Sequence, residues 1–110
     1  MNELIERLFN NFIIPVVFLY YDGNAPDYVV YRQIDSDRVL AADNRLINYV
    51  DYYDFDIYSK GNYMTYIEAI IEILTAAGFM WQPSRSSGDM YETDTKYYHK
   101  TLCFAIERSL

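Results

Sequence analysis

Residues 53–77 read YDFDIYSKGNYMTYIEAIIEILTAA, and their hydrophobic period changes once, at Gly61-Asn62. Before that point, large apolar or aromatic residues at 53, 55 and 57 alternate with tyrosine or aspartate at 52, 54 and 56. This is the period-2 pattern of an antiparallel strand with one buried face. We therefore predict one long strand over Leu46–Tyr58. The core-facing side chains are predicted to be Tyr53, Phe55 and Ile57, and those on the other face Tyr52, Asp54 and Asp56.

After Gly61-Asn62 the apolar residues recur at three- and four-residue spacing, which is typical of an amphipathic helix. We predict a helix from Tyr63 to Ala77, capped at its start by Asn62. Gly78 follows it, where a residue in the left-handed conformation commonly ends a helix. The stripe predicted to pack on the sheet consists of Tyr63, Ile67, Ile70, Ile71 and Leu74.

The first forty residues predict a short helix followed by two strands. Apolar residues at helical spacing occupy the first twelve positions, and Pro15 ends any continuation. β-branched and aromatic residues then predict strands over Val16–Tyr21 and Tyr28–Ile34. The acidic run Asp35-Ser36-Asp37 is predicted to end the second strand, so that Arg38–Ala42 is an optional short strand that pairs back.

The C-terminal third predicts two further strands around a loop. One strand begins at Phe79, and the other covers Tyr97–Arg108, with Leu102, Phe104 and Ile106 on one face. The order α-β-β-(β)-β-α-β-β predicts an α+β fold. In it a short N-terminal helix and one central amphipathic helix pack on a mainly antiparallel sheet. At 110 residues, the chain is predicted to form a single domain, 1–110.

Composition excludes several classes of function. Nine Lys and Arg against 16 Asp and Glu leave a net charge of −7, and duplex DNA and anionic membranes both favour basic proteins. The single cysteine and single histidine, Cys103 and His99, exclude an internal disulfide and a Cys- or His-rich metal site. The acidic start, Met-Asn-Glu-Leu-Ile-Glu-Arg, is unlike a signal peptide, so we expect a soluble cytoplasmic domain.

No motif predicts an enzyme. The sequence contains neither a Gly-x-Ser-x-Gly nucleophile motif nor a Gly-rich phosphate loop. Cys103 lies between two core-facing residues, which favours a buried, unreactive thiol. Asp54 and Asp56 are about 6.6 Å apart on one strand face, a spacing that suits a divalent cation or a pair of catalytic carboxylates. Alternating acids are also typical of a solvent-facing strand, and we favour that interpretation. We expect no cofactor.

The order of elements, with certain local segments, resembles the small tail terminator proteins of long-tailed bacteriophages and prophages, also called tail completion or tail-to-head joining proteins. Three segments carry the resemblance. They are a Pro-containing turn before an aromatic strand (Ala25-Pro26-Asp27-Tyr28-Val29-Val30-Tyr31), a long strand before the helix (Tyr53–Lys60), and a terminal hairpin (Tyr91-Glu92-Thr93-Asp94-Thr95-Lys96 and onward to Ile106).

The resemblance implies a non-enzymatic virion component, assembled in the bacterial host cytoplasm. Such a protein forms a ring, typically a hexamer, that caps the tail tube and joins it to the head. Its partners would be other copies of itself, the major tail tube protein and the head connector proteins, without specific nucleic-acid binding and without a membrane. An alternative of another class is an acidic monomeric phage-encoded inhibitor that mimics DNA charge. Basic residues interleaved with the acids argue against that alternative.

A thirteen-residue segment, Pro83–Thr95, is the predicted contact surface. It separates two predicted strands, whereas a hairpin needs only about 2–5 loop residues. One interpretation is a floppy hairpin tip; the other is an arm that orders on a neighbouring subunit or on the tail tube. The predicted contact residues are Arg85, Met90 and Tyr91, because these residue types are enriched in interfaces.

Overall fold

The computed structural model describes residues 2–40 and 43–109. Helix α1 covers Asn2–Leu8 and helix α2 covers Met64–Ala76. The strands are β1 (Val16–Phe18), β2 (Tyr28–Leu40), β3 (Leu46–Ser59), β4 (Met80–Trp81), β5 (Met90–Glu92) and β6 (Tyr97–Ser109), with a short 3₁₀ turn at Pro83–Arg85. In the described ranges, no helix is long and apolar enough to span a membrane.

The six strands form one mainly antiparallel sheet in the order β1-β2-β3-β6-β4, and β5 pairs with β6 beside β4. Strand β3 is central: it pairs antiparallel with β2 on one side and with β6 on the other. Only the contact between β1 and β2 is parallel. The predicted α+β fold with a mainly antiparallel sheet is therefore confirmed.

The core lies between one face of the sheet and both helices. The Phe55 ring stacks on Tyr31 of β2 with centroids 5.5 Å apart and meets Phe104 of β6 edge-on at 5.7 Å. The helices contribute Ile5, Ile67, Ile70 and Leu74 to the core, and Phe9, directly after α1, also belongs to it. The predicted core-facing sets of β3 and β6 are confirmed, as is the α2 stripe, except that Ile71 is only partly buried.

The predicted break at Asp35-Ser36-Asp37 is wrong, because β2 continues through it to Leu40. Strand β3 is long enough to pair with all of β2, and a register shift between Gln33 and Asp35 accommodates one extra residue, Ile34. Such a bulge keeps the ladder intact on both sides. The last two residues of the optional strand Arg38–Ala42 lie outside the described residues.

Three further boundaries differ from prediction. Helix α1 ends at Leu8 and not at the twelfth residue, because residues 9–11 form a turn. Strand β1 ends at Phe18 rather than Tyr21, because Leu19 has a φ of 65°, which is incompatible with an extended strand. The segment Pro83–Thr95 is not one long loop, because Met90–Glu92 form β5 and pair with Tyr97–His99. The prediction of a thirteen-residue loop is therefore wrong.

The ends of α2 follow the predicted local chemistry. The Asn62 side chain accepts a hydrogen bond from the Met64 backbone N–H at 3.0 Å. At the other end Gly78 has a φ of 99°, and its N–H and that of Phe79 donate to the carbonyl oxygens of Thr75 and Leu74. These two bonds form a Schellman motif, which directs the chain back toward the core.

Replacing Gly78 by alanine is expected to lower the free energy of unfolding by about 1–2 kcal/mol, because an L-residue is strained at this positive φ. An added Cβ meets no atom within 4 Å, so backbone conformation is the sole expected cause. Urea denaturation measures the effect. Asparagine, which tolerates the left-handed region, should cost less than alanine; an equal or larger loss for asparagine would contradict this explanation.

Candidate functional site

The face of the sheet opposite the helices, called here the open face, carries the polar side chains. It displays Tyr28 and Arg32 of β2, Tyr52, Asp54, Asp56 and Tyr58 of β3, and His99, Thr101 and Cys103 of β6, in the rows that the strand register fixes. Four rings stack in succession across the strands: Tyr21 on Tyr28, Tyr28 on Tyr58, and Tyr58 on His99, with centroids 4.5, 5.0 and 4.3 Å apart. This face is thus a closely packed single layer of aromatic and polar side chains.

Asp56 is held by hydrogen bonds within the open face. Thr101 Oγ1 donates to Asp56 Oδ1, and His99 Nε2 lies 3.4 Å from the same oxygen. Burial alone would raise the pKa of Asp56, but the hydrogen bonds from His99 and Thr101 outweigh it and lower the pKa. The other ring nitrogen of His99 lies 3.7 Å from Glu92 of β5. Asp56 therefore links β3 to β6 as a structural carboxylate.

Asp54 has a less favourable environment. Its side chain is 14 % exposed, its Oδ1 makes no hydrogen bond with the described residues, and Arg32 is 4.0 Å away. Burial and then the negative charge of Asp56 raise the pKa of Asp54, against the opposing charge of Arg32. Both acids lie on the predicted face, but they are largely buried rather than solvated, so the interpretation as a freely solvated pair is wrong.

The two acids are expected to respond oppositely to removal of their charge. At pH 7, Asp54→Asn should raise the free energy of unfolding by up to about 1 kcal/mol, the scale of one charge pair on a sheet face. Asp56→Asn should lower it by about 1–2 kcal/mol, because it weakens the acceptor of two hydrogen bonds.

The pH dependence distinguishes the two residues. Because the pKa of Asp54 is raised, its contribution to the free energy of unfolding declines as pH rises through that pKa. Because the pKa of Asp56 is lowered, its contribution to the free energy of unfolding declines as pH falls below 3.8. Urea titrations of both variants between pH 3 and pH 7 measure these slopes. Equal losses from both substitutions at pH 7 would contradict the assignment.

Chemistry at the open face is limited by burial and geometry. Cys103 is fully buried, and burial, with a smaller contribution from the Asp54 charge, raises the pKa of its thiol to about 11. The predicted unreactive thiol is thus confirmed. His99 faces carboxylates rather than this thiol. Over residues 2–40 and 43–109, no three His, Cys, Asp or Glu side chains are grouped so as to hold a metal ion.

The structure separates the three predicted contact residues into two groups. The Arg85 guanidinium stacks 3.9 Å over the Tyr52 ring and lies 3.6 Å from Asp35, so it spans the open face within its own chain. Met90 and Tyr91 are half-exposed on β5. The Tyr91 ring lies 4.9 Å from that of Tyr98, which is also exposed. We call Met90, Tyr91 and Tyr98 the β5-edge patch; Met90 lies on the open face in register with His99, whereas Tyr91 and Tyr98 lie on the helix face.

A second exposed apolar group lies at the opposite edge of the sheet and was missed at the sequence level. It consists of Phe18, the last residue of β1, and of Leu19 and Tyr20 directly after it, and is called here the β1-edge patch. Their composition predicts a continuing strand, so only the positive φ of Leu19 reveals that they turn out into solvent. The sheet therefore carries exposed apolar side chains of different composition at its two edges, alongside others such as Met80 and Trp81 of β4.

Three backbone N–H groups on the free sides of β6 and β2 donate to side-chain oxygens of the same chain. On the outer side of β6, Ser86 and Ser87 accept the Cys103 and Thr101 N–H groups through their hydroxyl oxygens, at 2.9 Å each. On β2, beyond the bulge, the Ser36 N–H donates to Asp35 Oδ1 at 2.8 Å. Bulges and side-chain caps of this kind oppose strand addition at an edge. Contacts with another protein are therefore expected to be made by side chains.

Comparison of the sequence with protein-family models gave no match, and comparison with curated proteins gave none either.

Proposed function

We propose that this protein is a non-enzymatic structural subunit that forms a ring, and that the ring terminates the tail tube of a long-tailed bacteriophage and joins it to the head connector. The resemblance of the element order to tail terminator proteins suggests the role. The two edge patches supply the physical support. The partners are then further copies of this chain, the major tail tube protein and the head connector proteins.

The observation that carries the proposal is the pair of unlike apolar patches on opposite edges of one sheet. A ring needs a heterologous contact, in which one surface of a subunit meets a different surface of the next. The β1-edge patch is aliphatic and aromatic, whereas the β5-edge patch combines methionine with two tyrosines. Placed on opposite edges, the two patches let each subunit contact two neighbours at once.

The charge of the chain is compatible with a conduit for DNA. A ring through which DNA passes must not retain it, and a net charge of −7 per subunit disfavours binding to a polyanion. The open face contributes Asp54 and Asp56 to this field, although each is largely buried. The basic side chains Arg32 and Arg85 lie on the same face.

The proposal is tested by mixing the purified protein with tail tubes assembled from a phage major tail tube protein. Electron microscopy should show a ring at one end of each tube, and light scattering at high protein concentration should show species larger than the monomer. Disruption of the gene should yield separate heads and tails, and the wild-type gene should restore joined particles.

Two results would overturn the proposal. Tubes that remain bare at saturating protein, together with normal particles after gene disruption, would exclude a role in tail completion. A protein that stays monomeric, does not bind tail tubes and inhibits a host DNA-binding enzyme would support the alternative, an acidic inhibitor. A matched control is a variant with Ile47 changed to Thr, which alters an exposed apolar residue outside both patches and should still cap tubes.

A further inference from the structure

We propose that the turn at Phe18–Tyr20 is a docking knob for a second copy of this chain, and that it seats on the β5-edge patch of that copy. The inference rests on the proposed function, since it names the two surfaces that would meet in the ring. It predicts a head-to-tail contact rather than a two-fold one.

The backbone of the knob has a strained conformation. The Tyr20 N–H donates to the Phe18 carbonyl at 2.7 Å, which closes a γ-turn, and the central residue Leu19 has a φ of 65°. The γ-turn with positive φ at its centre is the rarer, strained form, and a bulky residue is unfavourable there. Strain of this type is retained mainly where a function needs it.

The strained turn leaves the Leu19 and Tyr20 side chains mostly exposed in the isolated chain. The Leu19 side chain is 60 % exposed and that of Tyr20 is 74 % exposed. The turn is nevertheless firmly anchored on both sides. The Leu19 N–H donates to the Tyr31 carbonyl at 3.0 Å, and the Tyr21 ring stacks on Tyr28. The backbone that carries these two exposed side chains is thus anchored, which reduces the entropy lost when a partner binds them.

Charge identifies the occupant. Arg32 lies beside Leu19 and Tyr20 around a shallow cavity of about 300 Å³, and its half-exposed guanidinium is only weakly paired, 4.0 Å from Asp54. At the other edge, Glu92 follows Met90 and Tyr91 on β5; its carboxylate is half-exposed, 3.7 Å from the His99 ring, and accepts a hydrogen bond from Thr95 at 3.1 Å. An Arg beside one apolar patch and a Glu beside the other are complementary across a head-to-tail contact. The flexible Met90 can adapt its shape to the knob.

The test is disulfide cross-linking of the full chain. The native Cys103 is buried and unreactive, so cysteines introduced by Leu19→Cys and Tyr91→Cys are the reactive thiols. Oxidised at millimolar concentration, the double variant should form a ladder of dimers, trimers and larger species. Each single variant should remain mainly uncross-linked, because a head-to-tail contact never brings two identical positions together.

Charge reversal supplies the matched control. In the cross-linking background, Arg32→Glu or Glu92→Arg alone should reduce the ladder severalfold, and the two together should restore it. Leu19→Asn, which tolerates the positive φ, should keep or raise the unfolding midpoint of the otherwise native chain while weakening its association. Circular dichroism verifies that each variant is folded.

Some outcomes would overturn this inference and leave the proposed function intact, and another would overturn the proposed function and leave this inference intact. Strong dimers from Leu19→Cys alone would show a two-fold contact, and a double variant that never forms a ladder would exclude this pairing of surfaces. Either result, with rings still seen on tail tubes, would leave the proposed function standing. A ladder from a protein that does not cap tubes would support the contact and refute the tail role.

Discussion

Replacing Leu74 by alanine is expected to lower the free energy of unfolding by about 2–5 kcal/mol, the range for a fully buried leucine. Leu74 is completely buried on α2 and belongs to the cluster that joins the helix to β3 and β6. Its carbonyl also accepts the Phe79 N–H in the turn after the helix. The loss is thus a cavity in the core, and it is a large fraction of the 5–15 kcal/mol that typically stabilises a domain.

Urea denaturation followed by circular dichroism measures this loss. The matched control is Thr75→Ala, which alters the exposed neighbour of Leu74 on the same helix and should change stability by about 0.5 kcal/mol or less. If Leu74→Ala shifts the midpoint no more than Thr75→Ala, the buried face of α2 has been assigned wrongly.

Replacing Arg108 by methionine is expected to lower the free energy of unfolding, because a carboxylate that is only 2 % exposed loses the half-exposed cation that pairs with it. Asp51 is only 2 % exposed, and Arg108 Nε donates to its Oδ2 at 2.8 Å. The hydroxyl of Ser36 donates to the other oxygen at 2.7 Å. The three residues belong to β3, β6 and β2, so this cluster joins the three long strands at the end of the core.

The pH dependence of the Arg108→Met variant should be opposite to that of the wild type. In the wild type, burial alone would raise the pKa of Asp51, but hydrogen bonds from Arg108 and Ser36 outweigh it and lower the pKa. The ionised carboxylate therefore stabilises the fold above pH 3.8, and this contribution is lost as pH falls. Without Arg108, burial dominates and the pKa rises, so stability is regained on acidification.

Urea denaturation at pH 7 and pH 4 measures the effect. The difference in free energy of unfolding between Arg108→Met and the wild type should be smaller at pH 4. The double variant Asp51→Asn/Arg108→Met is the control, because it removes the buried charge as well as its partner. It should be more stable than Arg108→Met alone at pH 7. A double variant as unstable as the single one would show that packing of the Arg108 stem, rather than charge, is responsible.

The elements predicted best are those with a strong local pattern. The alternation in β3 and the helical stripe of α2 lie next to one another in residues 53–77, and Gly78 marks the end of the helix by its conformational freedom. Burial of one face is enough to specify such elements, because a shift of one residue in a strand would expose the whole apolar set. The α+β class follows from these elements alone.

The errors arise where distant partners override local composition. Asp35-Ser36-Asp37 has the composition of a turn, yet β3 supplies pairing partners along its whole length. Met90–Glu92 lie in a segment of loop composition, and β6 draws them into the sheet. Neither outcome is visible in a window of neighbouring residues, since both depend on the length of another strand.

The candidate site could be predicted only in part. The sequence places Asp54 and Asp56 on one face, but their burial and unequal environments depend on residues far along the chain, such as His99 and Arg32. Arg85 has the residue type of an interface contact, yet it is engaged by Tyr52 and Asp35. The γ-turn at Leu19 has no compositional signal, since leucine is unfavourable at a positive φ.

The central position of β3 also has a consequence for the speed of folding. Its pairs with β2 lie across a short connection and close early, whereas its partners on β6 are about 40 to 60 residues away along the chain, so their pairing carries a larger loop-closure entropy. We therefore expect β6 to pair with β3 late in folding. Substitutions in β6 such as Phe104→Leu should then mainly accelerate unfolding, whereas substitutions in the β2–β3 hairpin should mainly slow folding.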